Sequence, residues 1–69
     1  MSHPAPLPDR VEGALRLQPC TLADLARMLD ADAETVRGSI LRLRDDGRIV
    51  DAGIVRVRDG RPRKRWRIA

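Results

Sequence analysis

Few residues of this chain have side chains suited to catalysis or metal binding. The one histidine, His3, lies in a proline-rich start, and the one cysteine, Cys20, has no histidine near it in the sequence. Asp45 and Asp46 are adjacent carboxylates, but such a pair at the end of a helix is normally solvated by water. The chain has neither the Cys/His spacing of a metal site nor a glycine-rich phosphate loop. We therefore expect no enzyme, no catalytic residue, no metal and no cofactor, and we expect Cys20 to be a small buried residue.

Positive charge is the strongest chemical signal, and it is concentrated near the C-terminus. The formal net charge is +4. Residues 1–50 carry seven Arg against eight Asp and Glu, whereas residues 51–69 carry six Arg and one Lys against two Asp. This excess predicts an acidic partner for the C-terminal segment. The alternative is that these cations only solvate an open sheet face and protect its edges.

Three amphipathic helices are predicted to precede the basic segment, because apolar residues recur at helical spacing in residues 8–17, 22–29 and 33–46. Val36, Ile40 and Leu43 recur at i, i+4 and i+7, so they must face the core. The caps fit these bounds: Thr21 and Asp32 are predicted N-caps, Pro8 suits a first helical position, and Gly47 suits a left-handed C-terminal cap. Residues 1–7 are predicted to be a flexible arm, and residues 8–69 form the domain.

After Gly47 the apolar period changes from helical to alternating, which predicts a β-hairpin. The strands are expected over 54–58 and 64–68, with Val55, Val57, Trp66 and Ile68 on the apolar face. The other face is almost wholly arginine. Asp59-Gly60 is a hairpin turn signal, although Arg61-Pro62-Arg63 can lengthen the loop.

The stretch TLADLARMLDADAETVRGSILRLRDDGRIV resembles the helix-turn-helix of bacterial winged-helix regulators. The residues that match are Leu22, Leu25, Ala26, Leu29, Thr35-Val36-Arg37, Leu43 and Asp46-Gly47-Arg48-Ile49. The resemblance extends over residues 8–69 and implies an α+β fold, a three-helix winged helix-turn-helix with a C-terminal two-stranded β-hairpin wing. It also implies a transcriptional regulator that binds double-stranded DNA in the cytoplasm, associated with the nucleoid.

In such a protein the third helix enters the major groove and the basic wing lies on the backbone or in the minor groove. Thr35, Arg37 and Arg42 are the expected base readers, and Gly38 would allow close approach of the helix. The start of the second helix at Thr21 is expected to offer backbone amides to a phosphate. Trp66, which is expected to align with Val57 across the hairpin, is expected in the core rather than stacked on a base. The wing residues expected on DNA are Arg56, Arg58, Arg61, Arg63, Lys64 and Arg65.

The alternative function is a winged-helix protein-protein interaction module that acts on an acidic partner. Residues 32–46 carry three Arg against four acids, and Leu41 is expected on the exposed side of the third helix. RNA binding is a third possibility. A homodimer stays open, with the arm and Leu41 as its contacts. No apolar run approaches the roughly 20 residues of a membrane span, so no membrane is expected. No small-molecule effector is evident.

Overall fold

Three helices form over Leu7–Leu17 (α1), Leu22–Met28 (α2) and Ala33–Asp45 (α3) in the computed structural model, which describes residues 5–56, 58 and 60–69. Their bounds agree with the predicted ones to within one residue at each end. Leu7 belongs to α1, so the predicted arm is one residue too long, and residues 1–4 of that arm lie outside the described residues. Pro8 stands in the first turn of α1, where its missing N–H removes no helical hydrogen bond.

Side-chain caps begin α2 and α3 at the residues that the sequence indicates. Thr21 Oγ1 accepts a hydrogen bond from the Asp24 amide at 3.1 Å, and Asp24 Oδ2 accepts one from the Thr21 amide at 3.2 Å. This reciprocal pair is a capping box. Asp32 Oδ2 accepts from the amides of Glu34 at 3.1 Å and Thr35 at 3.3 Å. The caps place both helix starts where the sequence predicted them.

The sheet has three antiparallel strands, one more than the sequence predicted. A two-residue strand, Cys20–Thr21 (β1), lies between α1 and α2 and pairs with the last strand, Arg63–Ile68 (β3). The strand Ile49–Val55 (β2) pairs with the other edge of β3, so β3 is central. The prediction of a two-stranded sheet therefore misses β1. A strand of two residues is too short to show an alternating pattern in the sequence.

β2 also begins five residues before the predicted strand 54–58. Gly47 has φ 74° and ends α3, as predicted, and the chain enters β2 two residues later. The pairing of β2 with β3 shifts register between Asp51 and Ile54, and Gly53 within this bulge has φ 106°. Because of the bulge, apolar and polar residues do not alternate strictly along β2, so the sequence did not predict its first residues. Ile54, just after the bulge, is 67% exposed.

The hairpin turn predicted at Asp59-Gly60 and the inward Val57 cannot be compared with the fold, because Val57 and Asp59 lie outside the described residues. Within the described part, β3 resumes at Arg63, one residue before the predicted start. Trp66 was expected to align with Val57, but it pairs with Asp51 on β2 and with Cys20 on β1. That expected alignment is wrong, since β2 starts earlier and carries a bulge.

The core is aliphatic around one tryptophan. Val36, Ile40 and Leu43 are buried as predicted, and Trp66 is 7% exposed. The helices pack on the sheet face that carries Trp66. No helix of the described residues combines the length and apolar character of a membrane span. The buried apolar residues are Val11, Ala14, Leu15, Cys20, Leu25, Val36, Ile40, Leu43, Ile49 and Trp66.

Candidate nucleic-acid interface

The arginines of residues 1–50 divide into those used within the domain and those that are not. Arg37 and Arg42, both exposed on α3, have neither an ion pair nor a side-chain hydrogen bond among the described residues. The other five do: Arg10 donates to the Leu29 carbonyl, Arg16 and Arg48 to Glu12, Arg27 to Asp24, and Arg44 to Asp45. The two arginines left over are those that the sequence indicated as base readers.

Arg37 and Arg42 border the exposed face of α3 from opposite sides. They are five positions apart, which is about 140° around an α-helix. Thr35 lies on the same side as Arg42, and Gly38 lies between the two arginines. A Cβ at Gly38 would meet no atom within 4 Å, so the domain itself does not require glycine there.

A groove runs between α3 and β3, and we call it the α3–β3 groove. It has a volume of about 260 Å³. Leu41 lines it and is half-buried, so the expectation of an exposed Leu41 is wrong. None of the described residues that line it is acidic, and three are cations. The full lining is Leu22, Ala23, Arg37, Ile40, Leu41, Arg63, Lys64 and Trp66.

A second groove, between the start of α1 and the end of α3, has the opposite character. It measures about 480 Å³ and mixes three acids with two arginines. Arg42 lines this groove, so the structure separates it from Arg37. The lining is Pro6, Pro8, Asp9, Glu12, Arg42, Leu43, Asp46 and Arg48.

A largely buried carboxylate ties α1 to the start of β2. Glu12 Oε1 accepts from Arg48 Nη2 at 2.8 Å, and Glu12 Oε2 accepts from Arg48 Nε at 3.0 Å. The hydrogen bonds from Arg48 hold the pKa of Glu12 below its ordinary value of 4.5, against the opposing effect of burial. The same contact raises the pKa of Arg48. This bidentate ion pair holds the start of β2 against α1, and the sequence analysis did not predict it.

The basic residues of β3 face in two directions. Side chains alternate along a strand, so Lys64 shares the inner face with Trp66, while Arg65 and Arg67 share the outer face. Arg63 has the parity of Arg65 and Arg67, but it is the first residue of β3 and lines the α3–β3 groove. Lys64 Nζ lies 5.3 Å from the Trp66 ring centroid and 3.6 Å from Asp51 Oδ2. Arg65 and Arg67 are exposed on the outer face. The predicted set of wing cations is thus split, with only part of it beside α3.

The predicted residues between β2 and β3 are also exposed. Arg56, Arg58 and Arg61 lie in this connection, and no ion pair engages them among the described residues. They remain accessible to a partner that contacts the hairpin.

Thr21, at the predicted phosphate-binding start of α2, uses its own amide within the protein. The residue is 6% exposed, and its N–H donates to Asp24 within the capping box. The backbone N–H of Thr21 is therefore engaged within the capping box, and the phosphate contact predicted at the start of α2 stays a prediction.

Cys20 is a buried core residue, as predicted. Its thiol donates to the Gln18 carbonyl at 3.4 Å, and burial raises the pKa of the thiol. A raised pKa keeps the thiol protonated and poorly nucleophilic at neutral pH. Over residues 5–56, 58 and 60–69, no group of three or more His, Cys, Asp or Glu side chains could hold a metal ion.

No protein-family model matches this chain, and no curated protein matches it. The geometry of α3, β3 and their groove, together with the pattern of the sequence, is therefore what indicates a function.

Proposed function

We propose that this chain is a winged helix-turn-helix domain that binds double-stranded DNA and regulates transcription. The order α1–β1–α2–α3–β2–β3 supports this fold, since α2 and α3 form a helix pair and a hairpin follows α3. The regulatory role rests on the resemblance of residues 21–50 to bacterial winged-helix regulators. The proposal is for a binding protein rather than an enzyme.

The observation that carries the proposal is the state of the arginines on α3. Arg37 and Arg42 are exposed and have no partner among the described residues, whereas the other five arginines of residues 1–50 are engaged. A guanidinium without an intramolecular partner can bind a guanine edge or a phosphate without first breaking an ion pair. An α-helix fits the major groove of B-DNA, so α3 can bring both arginines to it.

The β2–β3 hairpin supplies the backbone contacts in this proposal. Arg63 and Lys64 line the α3–β3 groove together with Arg37, so cations of the hairpin and of α3 lie on one surface. Arg56, Arg58 and Arg61 are exposed in the connection and are the residues available to a phosphate or to a narrow minor groove. Asp32 lies at the N-terminal end of α3, the end that carries Thr35 and Arg37. Its carboxylate already accepts two backbone hydrogen bonds as the N-cap.

The test is a comparison of polyanions by fluorescence anisotropy. The protein is titrated into labelled duplex DNA, single-stranded DNA, RNA and heparin at several salt concentrations, after selection of a preferred duplex from a randomised pool. We expect the selected duplex to bind more tightly than the other polyanions. Equal binding of duplex and heparin without sequence preference would contradict a sequence-specific regulator. Absence of binding at low salt would favour the alternative, a protein-interaction module for an acidic partner.

A further inference from the structure

We infer that the α3–β3 groove binds a small aromatic carboxylate and that this ligand competes with DNA. The competition rests on the proposed DNA-binding function, whereas the ligand site stands on the groove itself.

The floor of the groove is apolar and of limited size. Leu22, Ile40, Leu41 and the indole of Trp66 provide an apolar lining that α2, α3 and β3 build together. Small-molecule sites in proteins typically have volumes of about 300–1,000 Å³. At about 260 Å³ the groove lies just below this range, so it suits one or two rings rather than a dinucleotide cofactor.

The rim of the groove determines the charge of the ligand. Arg37, Arg63 and Lys64 line it, and none of its described lining residues is acidic. Asp51 Oδ2 lies 3.6 Å from Lys64 Nζ and neutralises part of that charge, but Arg37 and Arg63 have no ion pair within the described chain. A guanidinium binds a carboxylate through two parallel hydrogen bonds and also stacks on aromatic rings. The apolar floor and the two arginines therefore favour an aromatic acid over a neutral apolar molecule.

The groove on the other side of α3 provides an internal comparison. Asp9, Glu12 and Asp46 line it, so an anion that enters it meets three carboxylates. Arg48 in that groove already donates to Glu12. Of the two grooves beside α3, the α3–β3 groove is the one whose charge suits an anion.

Competition follows from the shared use of Arg37. In the proposed complex Arg37 donates to DNA, and in the ligand complex it donates to the carboxylate. Binding of one partner therefore lowers the affinity for the other, and the effect is reciprocal because both equilibria are linked.

The single tryptophan of the chain provides the readout, because Trp66 lines the groove and gives one indole N–H signal in a ¹H–¹⁵N spectrum. The full chain is titrated with 2-naphthoate and, as its neutral match, with 2-naphthalenemethanol. We expect the naphthoate to shift the Trp66 indole and the Leu41 amide with a dissociation constant on the order of 0.1–1 mM. We expect the neutral alcohol to bind at least roughly tenfold more weakly. Equal affinities, or no saturable shift at these signals up to about 10 mM naphthoate, would overturn the inference.

Charge-matched variants separate the groove from general attraction to a basic protein. Arg37→Ala and Arg63→Ala should each weaken naphthoate binding by roughly tenfold, because each removes a charge-assisted hydrogen bond. Arg16→Ala removes the same charge from α1, outside the groove lining, and should leave the affinity unchanged. An equal loss in all three variants would mean that the ligand responds only to net charge.

A final arm separates this inference from the proposed function. Naphthoate is added to the complex with the selected duplex and should release the labelled DNA over the concentration range of its own binding. If no duplex binds but naphthoate still saturates at Trp66, the proposed function fails and the ligand site stands. If duplex binds and naphthoate produces no saturable shift, the ligand site fails and the proposed function stands.

Discussion

Arg37 is the residue on which the proposed DNA contact and the proposed ligand contact both depend. It is exposed on α3 and lines the α3–β3 groove with Arg63 and Lys64. Arg42, on the same helix, lies beside Asp46 in the groove of mixed charge. The two arginines are chemically identical, but their neighbours differ, so their substitution should have different consequences.

Arg37→Ala is expected to relax sequence preference at one base pair of the selected site. A bidentate contact to a guanine is worth about 1–3 kcal/mol of discrimination, which the alanine variant should lose. Competition anisotropy with the selected duplex and its single-base variants measures this. Arg16→Ala is the charge-matched control and should keep the preference. A uniform loss of affinity across all duplexes would show that Arg37 contacts a phosphate instead.

Glu12 gives the domain a predictable response to acid. Its pKa is lowered chiefly by the hydrogen bonds from Arg48, so its contribution to stability is complete above about pH 4.5 and is lost as the pH falls through the lower folded-state value. Urea unfolding of the protein and of Glu12→Gln between about pH 2 and 7 measures this. The difference in stability should shrink as the pH falls below about 4.5. A difference that stays constant with pH would show that Glu12 stabilises the fold by packing alone.

At the scale of elements, the start of α3 depends on one carboxylate. Asp32 Oδ2 accepts the amide hydrogens of Glu34 and Thr35, and α3 carries the arginines of the proposed site. Thr35 and Arg37 lie within the first five residues of the helix, so fraying of this end would displace the residues proposed to contact bases.

Asp32→Ala is therefore expected to lower the free energy of unfolding by about 1 kcal/mol, within the range of about 0.5–2 for lost N-caps. Denaturant unfolding followed by circular dichroism measures the change. Asp32→Asn keeps a capping oxygen without the charge and should lose much less. If Asn and Ala cost the same, the charge of Asp32 rather than its hydrogen bonds stabilises the helix.

At the scale of the whole molecule, the distribution of charge controls the response to salt. The C-terminal segment carries all of the positive excess. Its cations within β3 lie partly on the α3 side and partly on the outer face of the sheet. In the proposed complex, the cations on the α3 side contact the duplex together with Arg37 and Arg42. The loss of phosphate contacts should therefore depend on the face from which a charge is removed.

Four phosphate contacts would give a slope of about −3.6 for log affinity against log salt concentration. Arg63→Ala with Lys64→Ala should flatten this slope by up to about 1.8 and weaken binding to all sequences alike. Arg65→Ala with Arg67→Ala removes the same charge from the outer face and should change the slope much less. Salt titrations of both double variants on one duplex measure this. Equal slopes in the two variants would mean that DNA contacts both faces of the hairpin.

The sequence alone predicted those features that depend on neighbouring residues. The three helices, the caps at Thr21 and Asp32, the left-handed Gly47 and the inward Val36 follow from local hydrogen bonding and from the 3.6-residue period. The exposure of Arg37 and Arg42 followed from their place on the polar side of a helix whose apolar side is marked by Val36, Ile40 and Leu43. Trp66 in the core followed from strand alternation.

Tertiary structure decided what depends on residues far apart in the chain. The two-residue β1 exists only because β3 pairs with it, and the bulge at Gly53 arises in the pairing of β2 with β3. The Glu12–Arg48 pair joins residues 36 positions apart, and the α3–β3 groove needs three elements to meet. No local pattern encodes these contacts, because each forms only when the packing of the core brings separate segments together.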